Sequence, residues 1–217
     1  MYKTVVFDLD GTLLNTLTDL ADAGNRLCRK YGWPTHERQA YRYFVGNGIP
    51  KLVERLAPAD QRTPAVLEAA LADFKRDYGQ HLRDTTAPYP GIPEMLAKLK
   101  ANGVQLAVFS NKADSLAKEV VKDSFGTQYF TIVRGQMTGV APKPAAEGTN
   151  ALLQALHADP ASTLYVGDSN VDVETAHNAN LPCCGAVWGF RTREELNAAG
   201  AEYLAENSDE LYDVIMK

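Results

Sequence analysis

The chain has 217 residues, 45% hydrophobic and 23% charged, a balance that supports a buried core and excludes wholesale disorder. Lys and Arg number 22 against 27 Asp and Glu, for a net charge of −5, which argues against a nucleic-acid binder because phosphate backbones are held by basic surface. No apolar run is long enough to span a membrane, and an acid at position 8 interrupts the short apolar N-terminus, so a signal-peptide layout is lacking and the cytoplasm is the expected compartment.

In chain order, residues 2–7 form a short β-rich run ending in acid, the pattern of a strand buried on both faces. Runs of the same kind recur at 104–109, 130–133, 163–166 and 184–187. Helical spacing appears between them, as in Ile92, Met95, Leu96 and Leu99, and again in Ala151, Leu152, Ala155 and Leu156. Strands alternating with helices predict an α/β fold, a Rossmann-like parallel sheet with helices on both faces. After 191 the pattern predicts a closing helix, a short strand near Tyr203-Leu204 and a final helix.

One interval breaks that rhythm. Between the first strand and the next lie three apolar stripes at helical spacing. They are Leu17, Leu20, Ala21, Gly24 and Leu27; Ile49, Leu52, Val53 and Leu56; and Val66, Leu67, Ala70, Leu71 and Phe74. A crossover needs only about a dozen residues, so residues 16–87 are predicted to be an inserted all-helical cap domain, with the core made of 1–15 and 88–217. Pro88-Tyr89-Pro90-Gly91 supplies the stiff turn of re-entry.

Open α/β sheets bind ligands at the C-terminal ends of their strands. There the sequence places Asp8-Leu9-Asp10-Gly11-Thr12, then Ser110-Asn111, and later Gly167-Asp168 with Asp172 one helical turn on. Lys143 sits in the loop Ala141-Pro142-Lys143-Pro144. Taken singly, each is as readily a cap, a turn or a solvated charge. Together they supply carboxylates, short polar groups and an ammonium, the residue types that phosphoryl transfer requires.

These four motifs, in this order, resemble those of the haloacid dehalogenase (HAD) superfamily, and the Asp-x-Asp-Gly-Thr form resembles its phosphatase and phosphomutase branch. The third motif commonly ends in Pro, where Ala146 stands here. Phe44-Val45-Gly46-Asn47-Gly48 is similar to a stretch of the phosphoglycolate phosphatases. The resemblance implies a phosphatase that hydrolyses a small phosphorylated metabolite, 2-phosphoglycolate foremost, through an aspartyl-phosphate on Asp8. It implies Mg²⁺ held by Asp8, Asp168 and the backbone of Asp10, with Asp172 behind them holding a water or orienting Lys143. Asp10 is then the acid and base, Lys143 the neutralising charge, and Thr12, Ser110, Asn111 and Lys143 the phosphate-binding set. A sugar phosphomutase of the β-phosphoglucomutase type and a pyrophosphatase are the alternatives on the same motifs.

Gly46-Asn47-Gly48 precedes a helical stripe, so its amides are candidates for binding the substrate's far end, aided by Lys51 or Arg55. The opposing expectation is that Asn47 caps the helix and both cations are solvated. Cys28, Cys183 and Cys184 are too few and wrongly spaced for a disulfide framework or a zinc site. Cys183 and Cys184 are read as reduced thiols in a strand, a redox role being left open. His36, His81, His157 and His177 show no metal spacing. The physiological substrate, the choice between monomer and homodimer, the organism and the pathway are not legible.

Overall fold

The computed structural model describes all 217 residues. The chain begins with β1 (Thr4–Phe7) and the short β2 (Leu14–Asn15). Four helices follow: α1 (Leu17–Tyr31), α2 (Arg38–Phe44), α3 (Ile49–Leu56) and α4 (Pro64–Gln80). After β3 (Ala87–Pro88) and α5 (Ile92–Ala101), strands and helices alternate to the end. They are β4 (Gln105–Ala113), α6 (Asp114–Phe125), β5 (Phe130–Gln136), α7 (Ala146–Leu156), β6 (Thr163–Gly167) and α8 (Asn170–Asn178). The last are β7 (Cys183–Ala186), α9 (Arg193–Ala198), β8 (Tyr203–Ala205) and α10 (Ser208–Met216). No helix is long and apolar enough to cross a membrane.

The chain divides into two compact units, one of Met1–Asn15 with Pro88–Lys217 and one of Thr16–Ala87. The first is built on a six-stranded sheet in the order β5-β4-β1-β6-β7-β8, every adjacent pair parallel. Side chains alternate across a strand. Val6, Ala107, Phe109, Tyr165 and Cys183 therefore join the α7 and α8 residues Leu152, Leu156, Val173 and Ala176 in one core cluster. The alternate set, Val5, Phe7, Leu106, Val108, Leu164 and Val166, is equally buried. Both faces of the sheet are covered, which is why its strands read as unbroken apolar runs.

Register then fixes the site. Phe7 of β1 is level with Val108 of β4 on one side and Val166 of β6 on the other. The residues that follow, Asp8, Phe109-Ser110 and Gly167-Asp168, emerge side by side at one edge of the sheet. The chain runs from β1 through β4 to β5 and then returns to β6 across β1, the reversal of strand order that opens a crevice in such folds.

The second unit packs its four helices around Leu20, Leu27, Tyr41, Leu52, Val53, Leu56, Ala70, Phe74 and Tyr78, all buried. Its first and last segments are tied at Asp19. That buried carboxylate accepts the backbone N–H groups of Thr85 and Thr86, at 2.9 Å each, and both threonine hydroxyls. Helix α2, which lacks a strong apolar stripe, was not predicted; it buries only Tyr41.

Candidate active site

Asp8 lies at the end of β1, where its N–H still donates to Val166 O (2.8 Å). Its carboxylate is 2.8 Å from Lys143 Nζ, and the same ammonium lies 2.7 Å from Asp172 Oδ1. Lys143 also donates to the Tyr165 hydroxyl (3.2 Å) and to Phe109 O (3.3 Å). Burial alone would strip the proton from Lys143, but Asp172 and Asp8 outweigh it and hold the ammonium well above its ordinary range. Burial pushes Asp8 up to about 7, against the pull of Lys143 and aided by repulsion from Asp172 and Asp10. Burial, followed by the charges of Asp172 and Asp8, likewise lifts Asp168 well above the carboxylate range.

Asp168 is gripped from two sides. The Thr12 hydroxyl donates to Oδ1 (3.1 Å) and the Phe190 N–H to Oδ2 (2.7 Å). Its surroundings leave no room for extra carbon: a Cβ at Gly11 or at Gly189 would overlap the Asp168 side chain. Gly11 also has a φ of +90°, a backbone state that L side chains rarely adopt. The loop after β7 thus belongs to the site, and Trp188 Nε1 donates to Thr12 O (3.0 Å) from the same stretch.

Oxygen atoms of Asp8, Asp168 and Asp172 lie within 4.8 Å of one another, all three residues buried. A donor set of carboxylate oxygens without sulfur or nitrogen suits a hard divalent cation. The local charge agrees, with four carboxylates (Asp8, Asp10, Asp168, Asp172) facing two ammoniums, Lys143 and Lys112. Within this trio, Asp172 Oδ1 is the oxygen that meets Lys143 Nζ at 2.7 Å. Its other oxygen accepts the Ser169 N–H (3.1 Å) and hydroxyl (2.6 Å), so it also caps α8.

Several expected residues point elsewhere. Thr12, read as a phosphate ligand, directs its hydroxyl to Asp168, because it is wholly buried behind the carboxylate. The side chain of Asn111, expected at a phosphoryl oxygen, bonds the backbone of Lys143 on both sides: Oδ1 accepts Lys143 N–H (2.8 Å) and Nδ2 donates to Lys143 O (3.2 Å). Ser110 is buried, and its Oγ accepts the Lys112 N–H (3.2 Å), which leaves the hydroxyl proton for another acceptor. Within the helical unit, Gly48 rather than Asn47 caps α3. Asn47 Oδ1 instead accepts from Arg55 (2.9 Å), whose guanidinium also reaches Phe44 O (2.8 Å). Lys51 pairs with Glu54 at 2.8 Å on an exposed face.

The sequence reading missed three contributors: Lys112, 3.0 Å from Asp10, Tyr165 beneath Lys143, and the Phe190 amide. Only Lys112 carried a signal, a charge directly after Ser110-Asn111 at the end of a buried strand. The cysteines are free and buried. Burial raises the Cys183 thiol far above its usual value and Cys184 to about 12, the opposite of an activated thiolate.

The family model described as haloacid dehalogenase-like hydrolase matches residues 5–186. A phosphoglycolate phosphatase of Chromobacterium violaceum is 31% identical over 216 residues, covering 98% of this chain and 96% of that one. One from Thiobacillus denitrificans is also 31% identical, over 191 residues, 87% of this chain and 84% of its own. Among solved structures, two proteins assigned by prediction as phosphoglycolate phosphatases superpose closely. The Lactobacillus delbrueckii subsp. bulgaricus structure gives a TM-score of 0.93 at 28% identity, covering 99% of this chain and 98% of that one. The Haemophilus somnus structure gives 0.89 at 25% identity, covering 98% and 97%.

Proposed function

The chain belongs to the haloacid dehalogenase-like hydrolases and is a phosphatase, and from that premise we propose that it hydrolyses 2-phosphoglycolate with Mg²⁺ through an aspartyl-phosphate on Asp8. The observation that carries this reading is the Asp8–Lys143 pair (2.8 Å) beside the carboxylates of Asp168 and Asp172. A carboxylate can approach a phosphate dianion only where positive charge offsets the repulsion. Lys143, buried and held as an ammonium by two acids, supplies part of it from the chain itself.

Asp8 and Asp168, with the backbone carbonyl of Asp10, are the groups that would hold Mg²⁺, with Asp172 behind them on Lys143. When bound it supplies further positive charge to the phosphoryl oxygens. Asp8 attacks phosphorus, and the bond to the leaving oxygen breaks. Asp10, two residues on, gives that oxygen its proton. It then removes a proton from the water that attacks the aspartyl-phosphate, returning Asp8 and releasing phosphate. Ser110 and the amides at the end of β4 bind phosphoryl oxygens. Tyr165 and Asn111 keep Lys143 in line with Asp8. Gly46, Asn47, Gly48, Lys51 and Arg55 remain the candidates for contact with the substrate's far end.

The relatives named phosphoglycolate phosphatase support the substrate. The test is phosphate release from a metabolite panel, with Mg²⁺ and with EDTA. Release from 2-phosphoglycolate in preference to hexose phosphates and pyrophosphate is expected. Hexose-phosphate isomerisation without release would make the chain a mutase.

A further inference from the structure

Lys112 stands at the end of β4, just past Ser110 and Asn111. Its side chain is only 2% exposed, yet its Nζ lies 3.0 Å from Asp10 Oδ1. A lysine is rarely buried without a reason that involves its charge, and the backbone here is shaped around it. The pairing of β4 with β5 shifts register between Phe109 and Ala113, the kind of irregularity that re-aims a side chain. Ser110 Oγ holds the Lys112 N–H at 3.2 Å. A Cβ at Gly135 of β5 would collide with the Lys112 carbonyl, so β5 leaves that stretch of backbone room to pass.

The two buried ammoniums of the site have separate duties. Lys143 faces Asp8 and Asp172, whereas Lys112 faces Asp10. On the phosphatase reading above, on which this inference rests, Asp10 meets the ester oxygen of the substrate. A group in contact with Asp10 is then within about 6 Å of that oxygen, the sum of two hydrogen-bond contacts. The first carbons of the leaving group occupy that span. We propose that Lys112 reads a second anionic group close to the phosphate, so that the preferred substrates are phosphomonoesters with a carboxylate two or three bonds from the ester oxygen. In 2-phosphoglycolate the carboxylate carbon is two bonds away. Hexose phosphates offer neutral hydroxyls at that distance.

The experiment compares 2-phosphoglycolate with ethyl phosphate, which has the same backbone without the carboxylate, in the wild type, K112M and K112R. The readout is the ratio of the two kcat/KM values, because loss of the Asp10 partner affects both substrates alike. The wild-type ratio should be at least about 100, and K112M should lower it by about 30-fold or more, chiefly through KM for 2-phosphoglycolate. K112R should retain most of the preference. K112Q replaces K112M if the latter does not fold. Independently of any variant, 3-phosphonopropionate should inhibit the wild type at least about tenfold more tightly than propylphosphonate. An unchanged ratio in the uncharged variants, or equal inhibition by the two phosphonates, would overturn the role of Lys112 and leave the phosphatase intact. Absence of phosphate release from every ester in the wild type would instead overturn the underlying reading.

Discussion

The carboxamide of Asn111 brackets the backbone of Lys143, accepting its N–H at 2.8 Å and donating to its carbonyl at 3.2 Å. The residues are 32 positions apart. One lies in β4, two residues before its end at Ala113, and the other sits in a loop whose Lys143–Pro144 peptide is cis. The side chain acts as a short strand partner for that loop, and this is how an irregular segment delivers an ammonium to within 2.8 Å of Asp8. Replacing Asn111 with Ala leaves a buried N–H and C=O unpaired, a cost of about 1–3 kcal/mol. The expected outcome is a lower melting temperature together with a fall of about 10- to 100-fold in kcat, since Lys143 loses its alignment. A variant that melts earlier but keeps wild-type kcat would show that the bracket serves folding alone.

The acid cluster has a pH signature in the metal-free protein. The folded-state pKa of Asp8 is raised to about 7 and that of Asp168 is raised as well. Both groups therefore favour the fold when protonated. Their contribution is fully present below the ordinary carboxylate pKa and is lost as pH rises through about 7, an effect of a few kcal/mol. In EDTA the free energy of unfolding should fall between pH 5 and pH 8. Added Mg²⁺ should restore more stability at pH 8 than at pH 5, because it competes with protons for the same oxygens. D8N should flatten the EDTA profile. A profile that rises with pH in EDTA would contradict the assignment.

Asp19 has the opposite sign. Burial resists its ionisation, but the hydroxyls and amides of Thr85 and Thr86 prevail and hold its pKa below the usual carboxylate value. The stability it contributes is present above the unfolded pKa and lost as pH falls through the lowered folded value. D19A removes the acceptor for two backbone N–H groups and two hydroxyls, which should cost the helical unit about 2–4 kcal/mol. Hydrogen exchange measures this directly, with amides of α1 and α4 losing protection while those of β1 and β6 keep theirs. Equal loss in all four elements would contradict a local clasp.

Much of the sheet was legible because strands buried on both faces cannot hide their composition: 163–166 differs from the observed β6 by one residue. β4 was read as ending at 109, yet it continues to Ala113. Ser110, Asn111 and Lys112 are polar, and nothing in their types reveals a strand that carries charge into a buried site. The motif carboxylates were legible as a set. Their partners were not. Whether Thr12 or Asn111 turns toward a ligand or a neighbour depends on packing across 156 and 32 positions of chain respectively, which local pattern does not encode. Arg55 shows the same limit. Its position on a helix face was clear, but its bonds to Asn47 and Phe44 arise from how the preceding loop folds back.

Tyr165 offers a graded test of the charge on Lys143. Its hydroxyl lies 3.2 Å from Nζ in a wholly buried position. Tyr165→Phe should reduce kcat by about three- to tenfold with little change in KM, since a weak orienting contact is lost while both acids remain. A change confined to KM would move Tyr165 out of this role.

The account stands on a covalent bond between phosphorus and Asp8. Borohydride reduces an acyl phosphate to the alcohol, so quenching the turning-over enzyme with it should convert residue 8 to homoserine, located by peptide mass spectrometry. Conversion at residue 8 that requires both 2-phosphoglycolate and Mg²⁺ is the predicted result. Full turnover with residue 8 unmodified and another carboxylate reduced would contradict it.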